Sequence, residues 1–450
     1  MSPRLPALAL ALALLLGGCG GGDGGRDAAR PGDGGADGGR DAAVPRDGEA
    51  ADAGGTDSDA PPDGAPPEDG GPGADGGPED GGPSGPRPEP ALPLALPFWA
   101  PLLDVELEGL GTWPLLVDTG APALMIAQPL AATLPTRRLA ALRFGGREYR
   151  DVGYGPYDLA LPSGLLGVEL GGILGYDLLQ ELVLLLDYRH ARLFPLDRWR
   201  PDYDLGPAVR GPFRTLPFTL GSGVLIVVPV SWEGLPAEAA ILDTGTTSAV
   251  LSQSLFAALG AEHDGRTVLH GSTAVTSTGE HRDTPIIRLG AITLADVPAY
   301  HAWATIMPDE FFDAVSLMAE APVRAIVGGS YLREVALAID YPGRMLHLAP
   351  YIDATHIAPE FVGVGLEVVK LNDIYRVYSV FGGSDAARQG IQPGERLLAV
   401  DGLPAASLSM PALQELLQGT PGSHLTLRLA REAGDEYEVT VLREELLPAL

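Results

Sequence analysis

Two short stretches carry the residues best suited to chemistry. Leu115-Leu116-Val117-Asp118-Thr119-Gly120 and Ala240-Ile241-Leu242-Asp243-Thr244-Gly245 each run an apolar strand into Asp-Thr-Gly. A carboxyl group fixed at a strand end is a candidate general acid or base. Other chemistries are poorly supplied. Cys19 is the only cysteine, which excludes an internal disulfide, a Cys-rich metal site and a cysteine nucleophile in the body of the chain. The eight histidines form no HExxH or His-x-His cluster. A zinc enzyme is therefore disfavoured, and no metal or other cofactor is expected.

The elements that must position the aspartates are duplicated as well. Leu102–Leu107 with a turn at Gly109–Gly111, and Val224–Trp232 with a turn at Glu233–Pro236, precede the two Asp-bearing strands and give hairpin patterning. Downstream, Ile173-Leu174-Gly175 is followed by Leu179, Glu181 and Leu184-Leu185-Leu186-Asp187-Tyr188. In the same register, Ile326-Val327-Gly328 is followed by Leu332, Glu334 and Leu337-Ala338-Ile339-Asp340-Tyr341. Each block reads as strand, glycine turn, short helix, strand. One Asp-Thr-Gly alone is a weak signal, but two in matching contexts make a specific one. The second half adds Phe311, Phe312, Val315 and Met318 at helical spacing, which predicts a core-facing helix. The short connection from Asp197 to about Gly211 favours closure of the halves on each other, giving a monomer with an internal pseudo-dimer.

This arrangement resembles the retropepsin-like and pepsin-like aspartic proteases over about Leu92 to Pro350. The resemblance implies a mainly β, bilobal fold, with lobe 1 over 92–205 and lobe 2 over 206–350. Carried over residue by residue, Asp118 and Asp243 become the catalytic pair. Thr119 and Thr244 become the threonines that bond across the pseudo-twofold axis, and Gly120 and Gly245 permit tight backbone beside them. In this family two carboxyls about 3 Å apart share one proton, an established property of aspartic-protease dyads. The ionised carboxylate takes a proton from water, the protonated one donates to the substrate carbonyl, and the two pKa values belong to the pair. Thr246 follows the second motif where Ala121 follows the first. A hydroxyl there favours the charged form of its neighbour, so Asp243 is expected to carry the charge. Flap candidates are Tyr149, Tyr154 and Tyr157 in the first half and the polar stretch from Leu269 to Arg282 in the second. The expected activity is aspartic-type endopeptidase action on polypeptides. The alternative is a non-catalytic peptide-binding surface lipoprotein on the same scaffold.

From about Phe361 the pattern changes. Gly363-Val364-Gly365-Leu366, a strand at Tyr375–Val380, and the run from Gly390 to Gly402 are followed by a helix at Met410–Leu417 and strands at Leu425–Ala430 and Tyr437–Leu442. The long run resembles the signature of bacterial PDZ domains, with Glu395 where that family usually has Asp, and the module is placed at 360–445. The resemblance implies that an extended peptide adds to a sheet edge, with its C-terminal carboxylate on the loop Gly363, Val364, Gly365, Leu366 and the helix as the opposite groove wall. Peptide C-termini are thus expected partners; a packing-only module is the alternative.

The N-terminus is an address. Arg4 precedes the apolar run Leu5–Leu16, too short for a comfortable membrane span, and Leu16-Gly17-Gly18-Cys19 resembles the lipobox of bacterial lipoproteins. That implies a signal peptide over 1–18, lipidation of Cys19, and a lipid-anchored place in the cell envelope, with the outer membrane or cell surface favoured by Gly20. An ordinary secretory signal is the alternative. Residues 19–91 are dominated by Gly, Asp, Ala and Pro and read as a disordered tether, of roughly 45–50 Å root-mean-square reach for about 70 residues. Much of the net charge of −29 lies there. No basic patch accompanies it, so nucleic acid is not an expected partner.

Overall fold

The computed structural model describes residues 85–261, 264–276, 279–300, 302–352 and 361–448. Cys19 and the tether before Gly85 lie outside them. Among the described residues no helix is long and apolar enough to cross a membrane.

The fold is mainly β. Its centre follows from two unbroken apolar runs. A strand that is apolar at every position must be covered on both faces. Val183–Asp187 and Val335–Asp340 are such strands up to their closing aspartates, and they pair antiparallel with Leu185 opposite Ala338 and, symmetrically, Leu184 opposite Ile339 and Leu186 opposite Leu337. Arg192–Leu196 and Met345–Pro350 flank them, and Leu92–Ala95 and Arg214–Pro217 close the two ends. The halves thus share one six-stranded floor. Below it, Trp199 from the inter-lobe connection stacks on His347 at 4.4 Å and meets Phe213 edge-on at 4.8 Å. Val183, Leu185, Phe194 and Ala338 complete that lower layer.

Above the floor each lobe repeats one plan. Leu102–Leu107 pairs with Gly111–Val117, which runs parallel to Gly172–Leu174. In lobe 2, Leu225–Trp232 pairs with Glu238–Leu242, which runs parallel to Ala325–Val327. The glycine ending each short strand is required by close approach. A Cβ on Gly175 would lie 2.5 Å from the Ala123 carbonyl oxygen, and one on Gly328 would lie 2.2 Å from that of Ser248. The expected helix of lobe 2 forms over Asp309–Ala319 with Phe311, Phe312 and Val315 buried.

The C-terminal module is built on the antiparallel strands Leu366–Leu371, Ile374–Val380, Arg396–Val400, His424–Ala430 and Glu436–Leu442. The helix Met410–Leu417 is capped by Ser409, whose hydroxyl accepts from the Ala412 N–H. The buried Glu395 accepts from the Tyr437 hydroxyl. Glu444–Glu445 then pairs with Val362–Gly363. The chain end reaches lobe 2, where Leu447 packs with Trp303, Phe361 and Phe381, and Arg288 Nε donates to the Leu447 carbonyl at 3.1 Å.

Candidate functional site

Strand register brings Asp118 and Asp243 together. The backbone N–H of Asp118 donates to the Leu174 carbonyl at 3.1 Å, and that of Asp243 to Val327 at 2.9 Å. Each aspartate is therefore hung from the strand that ends in the close-packed glycine. Between the lobes the threonines interlock. Thr119 Oγ1 donates to the Leu242 carbonyl at 3.1 Å and accepts from the Thr244 N–H at 3.0 Å. Thr244 Oγ1 donates to the Val117 carbonyl at 2.6 Å and accepts from the Thr119 N–H at 3.1 Å. Four buried bonds thus tie the two loops across the pseudo-twofold axis. Gly120 and Gly245 donate to the Oδ1 of their own aspartates at 2.7 and 2.8 Å. They also leave room for the opposite carboxyl. A Cβ on Gly120 would lie 2.9 Å from Asp243 Cγ, and one on Gly245 would lie 2.4 Å from Asp118 Cγ.

The electrostatics are unequal. Asp118 is 0% exposed and Asp243 2%. Burial, then the charge of Asp243, pushes the Asp118 carboxyl well above the usual carboxylate range, against opposing bonds from the N–H groups of Gly120 and Ala121. Burial raises Asp243 also, but the Thr246 hydroxyl, Asp118 and the N–H groups of Gly245 and Gly120 work to lower it. Thr246 Oγ1 donates to Asp243 Oδ2 at 2.6 Å, whereas no hydroxyl reaches the buried Asp118 Oδ2 and the side-chain partner of Asp118 is Asp243 itself. Protonating Asp118 lets it donate to Asp243 and removes a second buried charge. These effects favour the proton on Asp118 and the charge on Asp243.

The three tyrosines separate. Tyr149 stacks on Phe144 at 5.4 Å, and Tyr154 is buried with its hydroxyl donating to the Thr136 carbonyl at 2.9 Å. Core packing occupies both, so neither is a flap residue. Tyr157 is half-buried, its phenol is raised first by burial, and it packs on the apolar cluster that contains Ala121, next to the first Asp-Thr-Gly. The expected hairpin of lobe 2 forms from Val268–Thr276 and Gly279–Arg288, with its tip at 277–278 outside the described residues. Val275 joins the apolar cluster that contains Ala121. Two tyrosines were missed. Tyr188 and Tyr341 are buried, their phenols raised by burial and by the site's carboxylates, and neither hydroxyl has a hydrogen-bond partner. The signal was available, since each follows the Asp that ends its repeat. In the C-terminal module, Gly363, Val364, Gly365 and Leu366 line one cavity with Leu417 and Phe98. The Val364 N–H is already given to the Leu417 carbonyl at 3.2 Å, so it is not a free donor for a carboxylate. Among the described residues no group of three His, Cys, Asp or Glu side chains could hold a metal ion.

Two family profiles match the chain: one described as aspartyl protease over residues 228–313, and one described as PDZ domain over residues 376–431. A probable CtpA-like serine protease of Staphylococcus aureus (strain COL) is 30% identical over 90 residues, which is 20% of this chain and 18% of that protein. The chain thus spans under a fifth of the curated relatives it matches. Among solved structures, the PDZ domain of a carboxy-terminal protease from Vibrio cholerae in complex with peptide is 21% identical, covering 19% of this chain and 94% of that one at a TM-score of 0.18. An aspartic proteinase from Irpex lacteus is 13% identical, covering 59% and 98% at a TM-score of 0.39. The chain joins a mainly β body, part of which matches an aspartyl-protease profile, to a module that matches a PDZ profile.

Proposed function

We propose that this chain is an aspartic-type endopeptidase acting on extended polypeptides, exported and held to the cell envelope by lipid at Cys19, with its PDZ domain binding peptide C-termini. The observation that carries the peptidase reading is the buried carboxyl pair, interlocked by four threonine bonds and polarised by the single Thr246 hydroxyl. In this reading Asp243 takes a proton from water as the water oxygen adds to the peptide carbonyl carbon, and Asp118 gives its proton to the carbonyl oxygen. As the tetrahedral diol collapses, the proton on Asp243 passes to the leaving nitrogen and a diol hydroxyl returns one to Asp118. Neither a metal nor a covalent intermediate takes part. The test is hydrolysis of a peptide library by the chain from Gly85 onward, with and without pepstatin. Asp118→Asn and Asp243→Asn should each abolish cleavage, and pepstatin should block it. Cleavage that survives both substitutions refutes the reading.

A further inference from the structure

The PDZ domain packs against both lobes, in the apolar cluster that contains Ala121 beside the first Asp-Thr-Gly. Val369, on the strand Leu366–Leu371 that ends its sheet, is 2% exposed in a cluster shared with Leu165 of lobe 1 and Val275 of the lobe 2 hairpin. The two carboxyls have almost no exposure. The helix Ala160–Leu166 of lobe 1 packs against this same strand. A Cβ on Gly164 would lie 2.5 Å from the Lys370 carbonyl oxygen, and one on Gly167 would lie 2.3 Å from Met410 Cβ. Lys370 belongs to the strand wall of the peptide groove, and Met410 begins its helix wall. One stretch of lobe 1 therefore touches both walls and closes the outer end. The inner end, by the carboxylate loop, keeps a cavity, and Phe98 of lobe 1 lines that too. Lys370 lies four residue steps along the strand from Leu366, about 13 Å. A bound peptide longer than about four residues must therefore displace Gly164.

The seam to lobe 2 is of another kind. There Phe381 is buried beside Trp303, and the Gly382 N–H donates to the His270 carbonyl at 2.8 Å, on the hairpin itself. What frees the PDZ domain from lobe 1 thus leaves it attached to the hairpin.

We infer that lobe 1 holds the PDZ groove and the cleft shut together, and that an extended peptide with a free, apolar C-terminus opens the cleft by evicting residues 160–167 from the groove. The PDZ domain then swings with the hairpin, and the peptide acts as an activator distinct from the substrate. This rests on the peptidase reading for its activity readout only.

The probe is a synthetic hexapeptide ending in leucine with a free carboxylate, with its C-terminal amide as control. In the full-length body, Gly85 onward, carrying Asp118→Asn, hydrogen exchange at 160–167 should accelerate when the acid binds and stay unchanged with the amide. In the wild-type body, cleavage of a C-terminally blocked reporter should rise about tenfold, equivalent to about 1.4 kcal/mol. Gly164→Leu should raise the basal rate and abolish stimulation. A peptide that binds without altering exchange at 160–167, or that inhibits the reporter, overturns the inference, as does failure of the acid to bind. Faster exchange at 160–167 without hydrolysis in the wild type supports eviction and refutes the peptidase reading instead. Should Gly164→Leu not fold, the exchange and stimulation results decide.

Discussion

Thr246→Ala isolates the asymmetry of the carboxyl pair. The wild-type hydroxyl donates at 2.6 Å to Asp243 Oδ2 in a fully buried setting. A hydrogen bond to a charged group contributes about 1.5–3 kcal/mol, which corresponds to roughly 1–2 pKa units. The sign depends on which protonation step the bond favours. When both carboxyls are protonated the hydroxyl gains little. When the pair holds one proton, the charge is on Asp243 and the bond is fully expressed. It remains so when Asp118 also ionises. Removing the hydroxyl therefore raises the first ionisation of the pair and leaves the second almost unmoved. In a pH profile of kcat/KM, the acid limb should move up by about one to two units while the alkaline limb stays in place. Thr246→Ser keeps the donor and should keep the wild-type limb. An unmoved acid limb, or a displaced alkaline limb, refutes the charge assignment.

Asp118→Asn should alter stability in a pH-dependent way. The folded chain holds the Asp118 proton above its ordinary affinity, so this group's favourable contribution is complete below the unfolded value of about 3.9 and is lost as pH rises towards the folded value. The variant should match wild type at pH 3.5 and melt about 3 °C or more above it at pH 7; an equal difference at both pH values contradicts this. Gly245→Ala should lower kcat/KM by about 100-fold, because its Cβ would lie 2.4 Å from Asp118 Cγ. The backbone at Gly245 is not left-handed, so the fold should persist, and kinetics within a few-fold of wild type would show that the carboxyl position is not what matters.

Features set by local pattern were legible in the sequence. The Asp-Thr-Gly loops stand out because the short strands, the glycine and the threonine are each needed within a few residues. The run Leu184–Leu186 has no polar alternation, which announces a strand covered on both faces, although nothing in it says that its neighbour is Ala338 of the other half. The choice among Tyr149, Tyr154 and Tyr157 was not legible. Three tyrosines within nine residues differ only in which side of a twisted hairpin they face, and Tyr149 is decided by Phe144 across the strand turn. Docking of the PDZ domain was invisible for a similar reason. Gly164 reads as a weak residue inside a short helix, and its purpose appears only with the Lys370 carbonyl alongside. Leu446 and Leu447 fall just beyond the expected end of the module, yet they are what lobe 2 grips.

The common floor constrains how a substrate is admitted. Six strands hydrogen-bonded edge to edge in one continuous ribbon cannot part at the middle without breaking the ladder between Val183–Asp187 and Val335–Asp340. The two halves therefore cannot gape like a clam from below. Any relative movement is spread as a slight twist over the whole ribbon, and under the proposed peptidase reading a polypeptide would enter from the side opposite the floor.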